Sequence, residues 1–580
     1  MHQYRHYERS GSVEIQSSVS ECRESIGLKN RPRNGFKEYL IDYTLNTNLH
    51  GLKYIGGKEQ TYVEKFFWFF MFTCCVILSA GIVSKAWTKW YDTPAIIHFQ
   101  ENSTPLWKIP FPAVTVCYET KSLPTRFNYT KYYHLYKNNI TYMEMTEHER
   151  NMFEDLSLIC HERLAPANGR KFSNSKATVE NLKQVVPNIN EFFLGCKWKD
   201  VPRHTCSETF SSILTDDGFC YTFNIMVAEE LFRMENLHKE YRYLENINTS
   251  QKWSLQGGYR PTAPLETYPH RGLGYGMKAG LTFILRSKDK DLDYICKGPV
   301  QGFKILLHNP AELPRMSQLY LRLPLSHEVI LAVKPKMTST SDGLKPYHPS
   351  IRQCYLPRER YLRYFKVYTQ ANCEIECLTN FTYARCGCVH FGMPHGPCMS
   401  VCNAGSVACM KKAQIDLLTV NIQVQLEKEL VEEETVEEAR KVVSRCKCLP
   451  ACTSLEYEVE TSQAEYNWRD LFTAYNIPND DEMLDQKFTR VVIFFKEALV
   501  TTSLRSKLYD LTDLLATCGG LLGLFLGFSV LSLAEILYFL TLRICCTIWR
   551  KKKIKNGKLD KNNAHYISSP KPVVLKDNNY

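Results

Sequence analysis

Gly527, Phe528, Ser529 and Glu535 stand inside an otherwise apolar stretch, and their types and spacing could handle a metal cation without any bond being made or broken. A glycine frees the backbone to present its carbonyls, a hydroxyl two residues on adds an oxygen ligand, and a carboxylate about two turns further supplies charge. Residues 514–534 run 21 positions without a charge, about 31 Å as a helix, which matches the ~30 Å hydrocarbon core of a bilayer. A charge at that depth costs roughly 2.5–3.5 kcal/mol and so faces a water-filled path or a partner. Glu535 is therefore a pore-lining candidate. In the other reading it snorkels at the headgroup boundary, because Arg543 and the run Trp549, Arg550, Lys551, Lys552 and Lys553 follow. Gly519, Gly523 and Gly527 fall four apart, a spacing that lets helices approach closely, either for plain packing on copies of the same helix or around a pore.

Sulfur offers a second chemistry. Of the 23 cysteines, 17 lie between residues 117 and 452: Cys117, Cys160, Cys196, Cys206, Cys220, Cys296, Cys354, Cys373, Cys377, Cys386, Cys388, Cys398, Cys402, Cys409, Cys446, Cys448 and Cys452. In a reducing compartment such density needs metal clusters; outside the cell it needs only disulfides. Cys386 and Cys388 near His390 and His395 could suggest zinc, but a disulfide ladder is the better reading and no metal is expected. The odd count leaves one thiol over, and spacing does not reveal the pairing. Five sequons, at Asn102, Asn128, Asn139, Asn248 and Asn380, are glycosylation candidates in the same part of the chain. No His-Glu-x-x-His, Gly-x-Ser-x-Gly or Walker loop occurs, and Gly272, Gly274 and Gly276 lack the spacing of a dinucleotide fingerprint. The chain is expected to be neither an enzyme nor a cofactor carrier.

These residues need two spans to position them. Residues 66–84 give 19 uncharged positions between Lys65 and Lys85, with Trp87, Trp90 and Tyr91 beyond as an interfacial belt. No signal peptide precedes them, so residues 1–65 stay cytoplasmic, 85–512 lie outside, 513–542 return as the pore-lining second helix, and 543–580 form a basic cytoplasmic tail. The net charge of +11 mostly reports that topology rather than a nucleic-acid partner. Two helices cannot enclose a pore, so the chain must form a ring. His50-Gly51, just before the first span, reads as an ordinary turn or as one folded back under the pore. Runs rich in β-branched and aromatic residues at 111–117, 218–224, 280–285, 302–308 and 491–495 predict strands, with helical insertions at 147–164 and 228–244. Residues 354–452 form a cysteine-rich region. The glutamate-rich stretch 426–445 has helical spacing and reads as a solvated face, or as clustered carboxylates that sense protons or calcium.

His50-Gly51, FPAVTVC at 111–117, CYTFN at 220–224, YTQANCEIEC at 368–377, CGC at 386–388, CKCLPAC at 446–452 and GFS at 527–529, in this order between two spans, resemble the degenerin/epithelial sodium channel family, with the insect pickpocket branch nearest. The resemblance implies an outer α+β domain with a β-sheet core and a disulfide-rich helical thumb over 354–452. It also implies a trimer, homomeric or built with related subunits, in the plasma membrane and selective for sodium, typically sensitive to amiloride. On it, Gly527, Phe528 and Ser529 form the selectivity filter, His50 and Gly51 belong to a re-entrant gating segment, and Ala516 is the small position where bulk holds such channels open. Thr517, Gly523 and Glu535 then line the pore. Thr517 stands where many members carry Asp, and Phe528 where acid-sensing members commonly carry Ala. The alternatives are a non-conducting two-span receptor and a silent regulatory subunit of a heteromer; the extracellular stimulus stays open.

Overall fold

The computed structural model describes residues 36–92, 95–138, 144–160, 177–239, 253–425, 446–476, 485–508, 510–549 and 552. Two compact units divide the chain, one made of its two ends, Met1–Asp92 with Tyr509–Tyr580, and the other of Thr93–Leu508. The first unit holds α1 (Phe36–Asn46), α2 (Leu52–Gly56) and α3 (Tyr62–Asp92). The second contains α4 (Gln370–Cys386) and α5 (Val407–Gln425), after which the first unit resumes with α6 (Leu511–Leu526) and α7 (Val530–Leu540).

The 31 residues of α3 span about 46 Å, longer than the stretch 66–84 read from the absence of charge. Helices do not stop where charge begins; Lys85 and Lys89 simply extend this one beyond its apolar stretch. Tyr62–Tyr91 and Val530–Trp549 are each long and apolar enough to cross a membrane, and Phe66, Phe67, Phe69 and Phe70 are exposed, as lipid-facing side chains are. A third apolar helix, α6, packs along α3.

In the second unit, β1 (Ala95–Phe99), β2 (Ala113–Tyr118), β3 (Phe193–Trp198), β4 (Ser211–Thr215), β5 (Gly218–Phe223), β6 (Leu281–Lys288), β7 (Phe303–His308), β8 (Leu321–Leu323), β9 (His327–Thr340), β10 (Ser454–Glu465), β11 (Gln486–Phe495) and β12 (Thr502–Lys507) build two sheets. The larger runs β1–β12–β9–β11–β6–β3 with β10 added to β9, and the smaller runs β8–β7–β2–β5–β4. β9 pairs in parallel with β11 and β12, its long run serving both. Each of the five predicted strand runs forms a strand. The core between them is aromatic: the Phe111 ring lies 4.9 Å from Trp198, 6.1 Å from Phe223 and 5.2 Å from Phe495, drawing β3, β5 and β11 together. The expected helical insertions are shorter than read, Glu147–Leu156 and one turn at Ala228–Leu231; residues 161–176 and 240–252 lie outside the described residues.

Eight disulfides close the unit: Cys117–Cys220, Cys160–Cys296, Cys196–Cys206, Cys354–Cys452, Cys373–Cys448, Cys377–Cys446, Cys386–Cys409 and Cys388–Cys402. Cys373 and Cys377 are one helical turn apart, so one face of α4 takes both thiols of the Cys446–Cys448 segment. Cys398 corrects the candidate set: it is exposed and unpaired, the odd thiol that the count required. The zinc reading fails because Cys386 and Cys388 are both spent in disulfides. Asn102, Asn128 and Asn380 are exposed, whereas Asn139, Asn248 and the glutamate-rich stretch 426–445 fall outside the described residues.

One buried network has no precedent in the sequence reading. Asp217, at the β4–β5 hairpin, takes ion pairs from Lys121 at 2.8 Å, Lys297 at 2.9 Å and Lys304 at 3.2 Å, all four side chains being almost wholly buried. Burial alone would raise the Asp217 carboxyl, but the three ammonium groups outweigh it and hold the acid far below its usual range. Burial in turn lowers the Lys121 ammonium to about 8, against the pull of Asp217.

Candidate functional site

The second apolar segment is broken at Gly527 to Ser529, the residues that the family resemblance reads as the selectivity filter. α6 ends on Gly527, which takes the left-handed conformation at φ 65°. The Gly527 amide bonds back to Gly523 O at 2.9 Å and the Phe528 amide to Leu522 O at 3.3 Å, so the helix closes on a glycine because side-chain-bearing residues enter this conformation at a cost. Ser529 then starts α7: its Oγ accepts from the Ser532 amide at 3.3 Å, and Ser532 Oγ accepts from the Ser529 amide at 3.2 Å. The last carbonyls of α6 have no partner within that helix and carry the negative end of its dipole. The break thus offers a cation what water offers it, namely oxygens with partial negative charge.

A segment distant in sequence lies against the break. The His50 amide donates to Leu526 O at 3.0 Å, and a Cβ added to Gly527 would stand 2.8 Å from the His50 ring. Gly51 has φ 85°, which turns the chain into α2, and Tyr54 on α2 stacks on Trp68 of α3 at 4.7 Å. Further along α7, Glu535 Oε2 accepts from Thr47 Oγ1 at 3.5 Å and from the Asn48 amide at 3.4 Å. Tyr39 donates its hydroxyl to Phe539 O, the Tyr43 ring meets that of Phe539 at 5.1 Å, and Asp42 pairs with Arg543. Residues 39–50 therefore follow α7 and its continuation from Arg543 back to the break.

The structure brings His50, Gly51, Gly527, Phe528 and Glu535 into one neighbourhood and leaves Ala516 and Thr517 exposed on α6, about 16 Å up the helix from Gly527. The expected glycine stripe is not one surface. Gly519 has open space at its Cβ position, Gly523 meets Phe528 O at 3.7 Å, and Gly527 is closed by the His50 ring. Sequence reasoning missed α1 and with it Tyr39, Asp42 and Tyr43, and it gave no separate role to Thr47, Asn48, Ser532 or Phe539. The available signal was the pair Tyr39 and Tyr43, four apart and therefore on one helix face, with Asp42 beside them.

Fold and site together define a membrane protein of two spans, its second span broken by a glycine and a serine and its large middle unit stapled by disulfides. The chain belongs to the amiloride-sensitive sodium channel family, whose profile matches residues 43–539. It is 27% identical to Pickpocket protein 28 of Drosophila melanogaster over 553 residues, which cover 92% of this chain and 84% of that protein. It is 24% identical to Sodium channel protein Nach of Drosophila ananassae, covering 89% of each. Acid-sensing ion channel 1C of Danio rerio is 22% identical over 91% of this chain and 87% of its own length. The family resemblance and its pickpocket branch, read from the motifs, therefore hold; the family is one of ion channels.

Proposed function

We propose that the chain is a subunit of a sodium-selective, amiloride-sensitive cation channel of the plasma membrane. Three such subunits surround one pore, with both termini in the cytoplasm and the unit 93–508 outside. The observation that carries this reading is the break between α6 and α7 with His50 seated on Gly527. Carbonyls at the end of α6, with the Ser529 hydroxyl, replace part of the hydration shell of a sodium ion, and Gly527 to Ser529 form the constriction. Sodium needs no chemistry from the protein, since its gradient and about 2.3 kcal/mol per unit charge per 100 mV drive it. Thr517 and Gly523 face the same path above the break and Glu535 sits on its inner side. His50 and Gly51 couple the N-terminal segment to the constriction.

A sodium channel is named among the relatives, which supports the choice of ion. One relative is named for acid and another, from Mus musculus, for bile acid, so the stimulus is left to the outer unit without a class being assigned. The test is whole-cell current from the wild type and from Ala516→Val, with surface labelling in parallel. An amiloride-blocked, sodium-carrying current in the variant is the expected result. Variants that reach the surface yet stay silent with related subunits co-expressed would contradict it and favour the non-conducting receptor.

A further inference from the structure

We propose that the cavity at the foot of α4 binds a small zwitterion of amino-acid size, its carboxylate on Arg505 and its ammonium on Glu456 and Glu312. The cavity measures about 200 Å³, and all three side chains line it. That is room for about seven waters, below the ~300–1,000 Å³ of drug-sized sites, so the occupant is small.

Arg505 carries the argument. It is only 7% exposed, yet among the described residues it forms no ion pair and its one acceptor is Gln353 O at 3.2 Å. A guanidinium has five N–H donors in a planar fork that matches a carboxylate, so most of this one is unused. A buried charge without a partner is unfavourable, and burial first, then the like charge of Arg352, push the Arg505 group below its usual range. Arg352 itself is satisfied by Glu359 and by the carbonyls of Lys345, Tyr347 and Cys354. Arg505 on β12 stands opposite Ile97 on β1 in their antiparallel ladder, so both project from one face, and both line the cavity. Gln370, the first residue of α4, lines it too. The first amides of this 17-residue helix have no partner within it and carry the positive end of its dipole, which also favours an anion.

The other wall selects against a plain anion. Ionised carboxyls at Glu312 and Glu456 repel it, whereas an ammonium group is drawn to them. Leu255 and Leu455, both buried, add apolar surface that suits a short aliphatic side chain. A cation, two carboxyls and an apolar wall around so small a space describe an α-amino acid rather than a metal ion or a lipid. Binding here does not depend on conduction, so it holds or fails apart from the channel reading.

The full chain, purified in detergent, is melted with glycine, alanine, valine, leucine or methionine at millimolar concentration. At least one is expected to raise the melting temperature saturably, and its analogues lacking the amino group or the carboxylate bind about tenfold or more weakly. Arg505→Gln abolishes the shift. Gln370→Glu serves even where Arg505→Gln does not fold: an acid in the first turn of α4 suits the helix dipole but sets a negative charge at the cavity, and weakens binding about tenfold. No shift from any of the five amino acids would overturn the proposal. So would a shift unchanged in both variants, or analogues that bind as well as the amino acid itself.

Discussion

Helix α4 and helix α7 are each fastened to other segments of the chain, yet by bonds of different kinds. Cys373, Cys377 and Cys386 fasten α4 to Cys448, Cys446 and Cys409, links that do not open at ambient temperature and that are typically worth about 2–4 kcal/mol each. α7 and its continuation hold residues 39–50 through the Asp42–Arg543 pair, the Tyr43–Phe539 ring contact and two long hydrogen bonds to Glu535. Contacts of this sort contribute roughly 0.2–1.5 kcal/mol apiece. A scaffold that must keep its shape is covalent, whereas a segment proposed to move with the gate is held by contacts that release singly. Two arrangements separated by a few kcal/mol are what a stimulus can rebalance.

The largest effect is expected in the stapled unit. Asp217→Asn leaves Lys121 and Lys297 buried without their counter-charge, and Lys304 with only Glu119 at 3.8 Å, and should cost about 3–5 kcal/mol, seen as lost surface protein and early thermal unfolding. No single substitution in residues 39–50 should do as much to folding. A second change reads the same unit through pH. Glu312, beside a cavity of about 200 Å³ at the foot of α4, is pushed up to about 7 by burial, with Glu456 and Glu374 adding to the rise and a Thr369 hydrogen bond and Arg315 opposing it. The folded chain then holds this proton more tightly than the unfolded one, so the stability it contributes is full below about 4.5 and is lost as pH rises to about 7. Glu312→Gln should therefore raise the melting temperature of the detergent-purified protein at pH 8 and leave it nearly unchanged at pH 4; equal shifts at both would count against the assignment.

Smaller effects are expected in the membrane unit, and in current rather than in folding. Gly527→Ala forces an alanine into the left-handed region, at about 1–2 kcal/mol, and presses on the His50 ring. It should reduce sodium current at normal surface density, and His50→Ala should relieve part of the loss, a coupling that independent sites would not show. The smallest is the Asp42–Arg543 pair, for which a double-mutant cycle on open probability should give a coupling of about 0.3–1 kcal/mol.

Much of this contrast was legible in the sequence, though unevenly. The strands were visible because β-branched and aromatic runs stand between glycines and prolines, and the stapled region because cysteines crowd there. The pairing was not, since spacing alone chooses no partner for Cys373 or Cys398. Gly527, Ser529 and a His50-Gly51 pair folded back beneath them were among the readings of the sequence, but helix α1 and its docking along α7 were not. Thr47 and Glu535 are 488 residues apart, and no local pattern announces a contact across that distance. The Asp217 network was hidden for a different reason: Lys121, Lys297 and Lys304 look like surface charges until folding buries them around one carboxylate.

The most direct measurement is the sodium-to-potassium permeability ratio, from bi-ionic reversal potentials, for Ser529→Leu and Ser529→Thr in an Ala516→Val background with surface labelling. If Ser529 completes the constriction, leucine, which is bulkier and lacks the hydroxyl, lowers the ratio or the conductance at unchanged surface density, and threonine, which keeps the hydroxyl, preserves most of the selectivity. A conducting leucine variant with an unaltered ratio and unaltered conductance would contradict the placement of ion selection at the break.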